Sequence, residues 1–184
     1  MKITKIAKAD LMASEWDGGK TYEYFIYPPQ ANYAERNFLF RISSASIDKV
    51  PSQFSRFENY KRYLVMLDNS LEIIRNGSAE QYEKHELFTF DSNDTITSSS
   101  VGNDFNLMVQ KDVENELLLV KEKSTNARYI ALFALQFIEL SIDNERLKLE
   151  TNDLILIENT DRQSIEITSS EILLFMTIEI DKIK

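Results

Sequence analysis

The sequence predicts an all-β protein, an antiparallel β-sandwich or barrel, chiefly from the spacing of its strand-forming residues. Tyr, Phe, Ile, Val and Thr cluster in short runs separated by turn residues, and few stretches have the 3.6-residue period of a helix. Short strands without intervening helices exclude a βαβ sheet. The thirteen predicted strands cover residues 22–27, 38–45, 63–68, 71–74, 87–90, 105–109, 117–121, 129–135, 138–142, 147–149, 154–157, 164–168 and 173–180. Residues 52–62 are compatible with a helical turn and nothing longer.

A weak internal repeat divides this single predicted domain into two halves, about residues 1–110 and 111–184. Each half has an apolar strand that starts at a tyrosine, Tyr63 or Tyr129, and each continues into a hairpin turn. The turns are Asn76-Gly77 and Asp143-Asn144, whose residue types tolerate positive φ. The repeat predicts two related β-units in one chain.

Composition excludes several classes of protein. The 184 residues include 30 acidic and 21 basic side chains, for a net charge of −9, with one His and no Cys. Disulfides, thiolate nucleophiles and multi-His metal sites are therefore excluded, and the acidic balance argues against nucleic acid or an anionic membrane as a partner. The amino terminus lacks the apolar segment of a secretory signal, and no apolar run approaches the ~20 residues of a membrane span. We therefore expect a soluble, cytoplasmic protein.

Five short motifs follow one another between residues 16 and 108. They are Trp16-Asp17-Gly18-Gly19-Lys20-Thr21-Tyr22-Glu23, Phe40-Arg41-Ile42-Ser43-Ser44-Ala45, Phe54-Ser55-Arg56-Phe57, Arg62-Tyr63-Leu64-Val65-Met66-Leu67-Asp68 and Gly102-Asn103-Asp104-Phe105-Asn106-Leu107-Met108. In this order and at these separations they resemble the HutD/Ves family. The second half of the chain matches that family only in its hydrophobic pattern.

The resemblance implies a cupin-type fold with two β-barrel-like halves and no established enzymatic activity. It also implies, for relatives that sit beside histidine-utilisation enzymes, a role in restraining pathway output by binding a pathway metabolite. The chain departs from the family at Tyr22, where Arg is usual, and at Glu58, Asn69 and Asp91, where Gly is frequent. The change at Tyr22 removes a cation from a polar cluster.

Two predicted strands carry polar side chains on one face. Arg41 and Ser43 share a face of the first strand, and Asp104 and Asn106 share a face of the second. If these faces line a barrel lumen, the Arg41 guanidinium is suited to a carboxylate ligand, with Ser43 and Asn106 beside it. The alternative for Arg41 is an ion pair with a surface acid. The alternative for Asp104 and Asn106 is hydrogen bonding to backbone groups after the turn at Gly102, which we prefer for Asp104.

Three further residues complete the predicted ligand site. Thr21 and Glu23 share a strand face, and Glu23 is the nearest acid to pair with Arg41 or Arg62. Arg62 is either a second ligand-binding cation or an arginine at a surface junction. By contrast, we expect Trp16 to be a buried anchor and His85 an exposed loop residue with no catalytic role.

The chemistry of this residue set favours binding over catalysis. Metal-dependent cupins hold their ion with two or three His and a Glu, which a chain with only His85 cannot supply, so we predict no metal and no cofactor. The first hypothesis is a metal-free cupin-like protein that binds a small carboxylated metabolite and modulates histidine catabolism or a stress response. The second is a metal-independent isomerase or hydrolase with Glu23 or Asp104 as its base. The third is a scaffold or dimerisation module. Because cupin-type barrels often associate through their edge strands, we also expect a homodimer.

Overall fold

The computed structural model describes residues 1–180, and it confirms an all-β protein. A 3-10 turn at Lys8–Asp10 accompanies the strands. The strands are β1 (Lys2–Ile6), β2 (Ala13–Trp16), β3 (Gly19–Tyr27), β4 (Phe40–Ile47), β5 (Ser52–Gln53), β6 (Tyr60–Met66), β7 (Leu71–Arg75), β8 (Ser78–Tyr82), β9 (Leu87–Asp91), β10 (Ile96–Ser98), β11 (Gly102–Gln110), β12 (Glu114–Thr125), β13 (Tyr129–Phe133), β14 (Ile138–Ile142), β15 (Glu145–Leu149), β16 (Leu154–Glu158) and β17 (Ile165–Glu179). No helix within residues 1–180 has the length and hydropathy needed to cross a membrane.

One compact unit comprises Leu11–Asp112 and contains two antiparallel sheets. The larger sheet has the strand order β2-β3-β4-β11-β6-β9, and the smaller has the order β5-β10-β7-β8. Side chains from both sheets form one buried apolar cluster, so the sheets pack face to face. Its members are Leu64, Met66, Leu71, Ile73, Phe88, Phe90 and Ile96.

The other compact unit combines Met1–Asp10 with residues 113–180. Its strand order is β1-β16-β13-β17-β14-β15, and β12 also pairs with β17. The strand β1 joins this unit because Lys2–Ile6 pairs with β16. One buried cluster of this unit consists of aliphatic side chains and Phe175, all at most 3% exposed. Phe133 and Tyr129 are buried in this unit as well.

The two hairpin turns lie where the sequence places them. Asn76 and Gly77 have φ values of 53° and 87°, and β7 and β8 pair directly on either side of them. Asp143 has a φ of 52° and starts the turn between β14 and β15. Both turns need positive φ, which Asn, Asp and Gly tolerate.

The structure corrects the predicted strands in three respects. Residues 164–168 and 173–180 belong to a single strand, β17, rather than two. The helical turn at 52–62 is wrong, because this segment forms β5, a loop and the start of β6. The strands β1, β2, β5, β8 and β10 were not predicted, because they are short and carry polar or exposed side chains.

Candidate functional site

A cavity of about 330 Å³ lies within the Leu11–Asp112 unit. The strands β3, β4, β6 and β11 contribute its floor. The strand β2 and the segment from Ser52 to Ser55 contribute its walls. The site therefore consists entirely of residues from one compact unit.

Strand register arranges the floor of the cavity in three rows. The strand β11 pairs with β4 on one side and with β6 on the other, so side chains in register on one face form rows across the sheet. The cationic row is Arg41, Met108 and Arg62; the amide row is Ser43, Asn106 and Leu64; the acid row is Ala45, Asp104 and Met66.

Arg41 is buried and held by three neighbours. Its Nε donates to Glu23 Oε2 at 2.6 Å, and a terminal nitrogen donates to Ser43 Oγ at 3.1 Å. The guanidinium carbon lies 4.4 Å from the centre of the Tyr33 ring, within range of a cation–π interaction. The Glu23 side chain is 40% exposed, so the ion pair runs from the buried floor to the surface.

Arg62 is buried with fewer polar partners. One terminal nitrogen donates to the Ser55 carbonyl at 2.9 Å, and the guanidinium lies 4.6 Å from the Phe90 ring centre. Its Nε has no hydrogen-bond partner among residues 1–180. Burial lowers the pKa of Arg62, and the nearby Asp104 opposes that shift. Arg62 therefore retains an unsatisfied donor at the cavity.

Asp104 and Asn106 bring unpaired acceptors to the same cavity. They are 4% and 7% exposed, and the Oδ1 atom of each lacks a hydrogen-bond partner within the described chain. Burial raises the pKa of Asp104 to about 7, against the opposing influence of the Arg62 charge and of a hydrogen bond that the carboxylate accepts from the Ala45 backbone. Asp104 is thus a titratable group near neutral pH, where ordinary aspartates are fully ionised.

The structure places six of the seven predicted site residues around this one cavity. Five of them, Thr21, Arg41, Ser43, Arg62 and Asn106, lie there together with Asp104. Glu23 does not line the cavity and contacts it only through Arg41.

The preferred role of Asp104 is met only in part: its carboxylate accepts a hydrogen bond from the Ala45 backbone, but from within the sheet and not at the turn. Asp104 lies inside β11 with its side chain at the cavity. The turn is instead secured by Asp68, whose carboxylate accepts hydrogen bonds from the backbone and side-chain nitrogens of Asn103 at 2.8 and 2.7 Å. The surface-junction alternative for Arg62 is wrong, because Arg62 is 9% exposed within β6.

Trp16 differs from the sequence-based expectation, and His85 differs from it only in its burial. Trp16 is 42% exposed and lines the cavity, with its ring folded over Gly18, where a Cβ atom would lie 1.9 Å from the ring. His85 is half-buried in the turn between β8 and β9 and is absent from the cavity lining. Burial lowers its pKa, and the neighbouring Lys84 charge adds to this effect.

Two residues of the site were not predicted from the sequence. Tyr33 lines the cavity and covers Arg41, yet it belongs to no motif and lies in a loop. Ser55 contributes its carbonyl to Arg62, and its position in the Phe54-Ser55-Arg56-Phe57 motif was the available clue.

The donor set does not fit the metal site of a metal-dependent cupin. That site needs several imidazoles, and the sole histidine, His85, lies away from the cavity lining. Residues 1–180 also contain no group of three or more His, Asp or Glu side chains able to hold a metal ion. The cavity chemistry therefore rests on guanidinium, amide, hydroxyl and carboxyl groups.

A second depression, of about 490 Å³, lies against β7, β8 and β10. Its acidic side chains, Glu72 and Glu80, are exposed or half-buried. It brings together no buried charged groups and is not a comparable ligand site.

Comparison with known proteins identifies relatives of this fold. A family model for HutD matches residues 8–175 of the chain. The structure of HutD from Pseudomonas fluorescens SBW25, in a formate condition, is 18% identical with a TM-score of 0.83, and the match covers 97% of this chain and 98% of that chain. A conserved protein of unknown function from Pseudomonas aeruginosa PAO1 is 16% identical with a TM-score of 0.83, and the match covers 98% and 100%.

A more distant likeness confirms the cupin-like fold. A cupin 2 conserved barrel domain protein from Leptotrichia buccalis is 10% identical with a TM-score of 0.59, and 98% of each chain is covered. No curated protein matches the chain significantly.

Proposed function

Because the chain belongs to the HutD family, we propose that it is a metal-free, cupin-fold binding protein whose cavity holds a small carboxylated metabolite. The observation that carries the proposal is the cationic row, where two buried guanidinium groups lie on one cavity floor. Within residues 1–180, Arg41 has a carboxylate hydrogen-bonded to it, whereas Arg62 has none and keeps an unpaired Nε. A planar guanidinium with free donors is suited to a carboxylate.

The proposed role is regulatory and cytoplasmic. By binding an acid of the pathway, the protein would modulate histidine catabolism. The alternative process that we propose is a stress response. The family membership supports the link to histidine utilisation, and the cavity chemistry supports an acidic ligand.

Calorimetry and thermal shift with urocanate, formiminoglutamate, formylglutamate and histidine test this proposal. We expect at least one acid to bind, and Arg62→Met to weaken its affinity about tenfold or more, because a charge-assisted hydrogen bond is lost in a buried site. Arg75→Met is the matched control. Arg75 also lies 4.6 Å from a phenylalanine ring and has an unpaired Nε, but it lies outside the cavity. Absence of binding by every acid, or equal loss in both variants, would overturn the proposal.

A second candidate function is a metal-independent isomerase or hydrolase, and Asp104 is the observation that favours it. A buried carboxyl with a pKa of about 7 at a cavity has the property of a general base. Glu23 is less suited to this role, because its exposed carboxylate is paired with Arg41.

Incubation of the bound acids in D₂O, followed by NMR, distinguishes the two functions. An enzyme would exchange or convert its ligand, and Asp104→Asn would stop that reaction. A binding protein would leave every acid unchanged.

A further inference from the structure

We propose that the ligand carries a hydrogen-bond donor in addition to its carboxylate, so that the site selects hydroxy, amino or amide acids over plain acids. This inference rests on the proposed function, because it assigns the part of the ligand that faces away from the two arginines.

Two buried acceptors at the cavity are unsatisfied. The Oδ1 atoms of Asp104 and Asn106 have no hydrogen-bond partner within residues 1–180, and both side chains are more than nine-tenths buried. Buried polar groups are normally hydrogen-bonded, and one left unpaired destabilises the fold. Both residues line the cavity, so a ligand in it can supply the missing donors.

The order of the rows across the floor places these acceptors to one side of the two arginines. Adjacent residues on one face of a strand are about 6.8 Å apart, twice the rise per residue. The amide row therefore lies one such step from the cationic row, and the acid row lies two steps away. A small acid bound at the cationic row directs its other end toward acceptors.

The cavity has unpaired donors as well as unpaired acceptors. Arg62 Nε is an unpaired donor, whereas the Oδ1 atoms of Asp104 and Asn106 are unpaired acceptors. A plain carboxylate pairs with the Arg62 donor but leaves the two acceptors buried against its methylene groups. A ligand with an N–H or O–H group satisfies both kinds.

The test compares three acids with one carbon skeleton. Glutarate, 2-hydroxyglutarate and glutamate differ only at C2, which carries hydrogen, hydroxyl or ammonium. We measure their dissociation constants by calorimetry at pH 8. A site with buried acceptors discriminates strongly against a ligand that leaves them unpaired, so we expect both donor-bearing acids to bind about tenfold or more tightly than glutarate.

Two variants assign the preference to the acceptors. Asn106→Leu keeps the size of the side chain and removes its acceptor, so we expect the preference for 2-hydroxyglutarate over glutarate to shrink at least threefold. The readout is the ratio of the two dissociation constants, because a general weakening of binding would change both alike and leave the ratio unchanged. Asp104→Asn keeps an acceptor, so it should retain a preference for the hydroxy acid.

The outcomes separate this inference from the function on which it rests. Equal affinity of the wild-type protein for all three acids overturns the inference and leaves carboxylate binding intact. Tight binding of glutarate alone likewise overturns the inference and leaves carboxylate binding intact. No binding of any of the three acids overturns the inference, while the histidine-pathway acids tested above still decide the proposed function. The wild-type comparison gives these results even if a variant fails to fold.

Discussion

Buried charge is costly unless it is paired, and the cavity floor contains more of it than its internal contacts neutralise. Arg41 has Glu23, whereas Arg62 has a carbonyl oxygen, an aromatic face and the neighbourhood of Asp104. Replacing such groups by apolar residues often leaves a fold equally stable. Their combination at a cavity is therefore better explained by ligand binding than by stability.

The titration of Asp104 predicts a dependence of stability on pH. Its folded-state pKa, about 7, lies above the ordinary value of 3.8. Between pH 3.8 and 7 the folded protein therefore keeps a proton on Asp104 that the unfolded chain has released. The contribution of Asp104 to the free energy of unfolding is full below pH 3.8 and is lost as pH rises through 7. Asp104→Asn cannot titrate in this way. We therefore expect its free energy of unfolding to rise relative to that of the wild type by about 2 kcal/mol as the pH goes from 5.5 to 8.5.

Urea unfolding at several pH values within that range measures this gain. Asp91→Asn is the control, because a hydrogen bond from Lys111 lowers the pKa of Asp91 and moves its titration below the range. A wild-type–variant difference that stays constant for Asp104→Asn would show that Asp104 does not titrate near neutral pH.

At the residue scale, alternation along a strand predicts which side chains share a face of the sheet. It does not predict which residues from elsewhere in the chain pack over that face. The period of two places Arg41 with Ser43, and Asp104 with Asn106, on common faces, and the structure has them there. Tyr33 and Trp16 reach the cavity from a loop and from the end of an exposed strand. Their positions depend on tertiary packing that has no period in the sequence.

At the scale of elements, strand register turns separate motifs into one site. The motifs that carry Arg41, Arg62 and Asn106 are distant in the sequence, and they meet because β11 lies between β4 and β6. The strands themselves could be predicted from apolar alternation. Their neighbours in the sheet could not, because consecutive strands such as β6 and β7 enter different sheets.

The hairpin of β2 and β3 depends on close backbone approach at Gly19. A Cβ atom there would lie 2.0 Å from the Ser46 carbonyl oxygen of β4. We expect Gly19→Ala to lower the free energy of unfolding by about 1–3 kcal/mol, because backbone must move to admit the methyl group. The emission of Trp16 is expected to shift as well, since Trp16 pairs with Gly19 and is the only tryptophan in the chain.

Chemical unfolding and fluorescence spectra of the variant test this expectation. Gly77→Asn is the control, because Gly77 has open space around it and Asn tolerates its positive φ. Wild-type stability and an unchanged Trp16 spectrum in Gly19→Ala would contradict the proposed close approach.

At the scale of the whole molecule, the two compact units differ in what fills them. The unit of Met1–Asp10 and residues 113–180 contains a buried cluster of aliphatic side chains and Phe175, with Phe133 also fully buried. The Leu11–Asp112 unit has apolar clusters beside a cavity lined by charged groups. The repeat in the sequence indicates two β-units. It does not predict which of them contains a cavity lined by charged groups, because both halves carry similar apolar patterns.

This difference predicts that stability and ligand binding can be altered separately. Leu132 is fully buried in the core of the unit that contains β13, and it lies outside the cavity lining. We expect Leu132→Ala to destabilise the protein by about 2–5 kcal/mol, because the substitution leaves a cavity in a packed core. Far-UV circular dichroism would record a lower Tm. At temperatures where the variant is folded, its affinity for a bound acid should stay within about threefold of wild type. Arg62→Met should show the reverse pattern, a large loss of affinity at a Tm nearer to wild type. A tenfold loss of affinity in folded Leu132→Ala would mean that the site depends on more than the residues that line it.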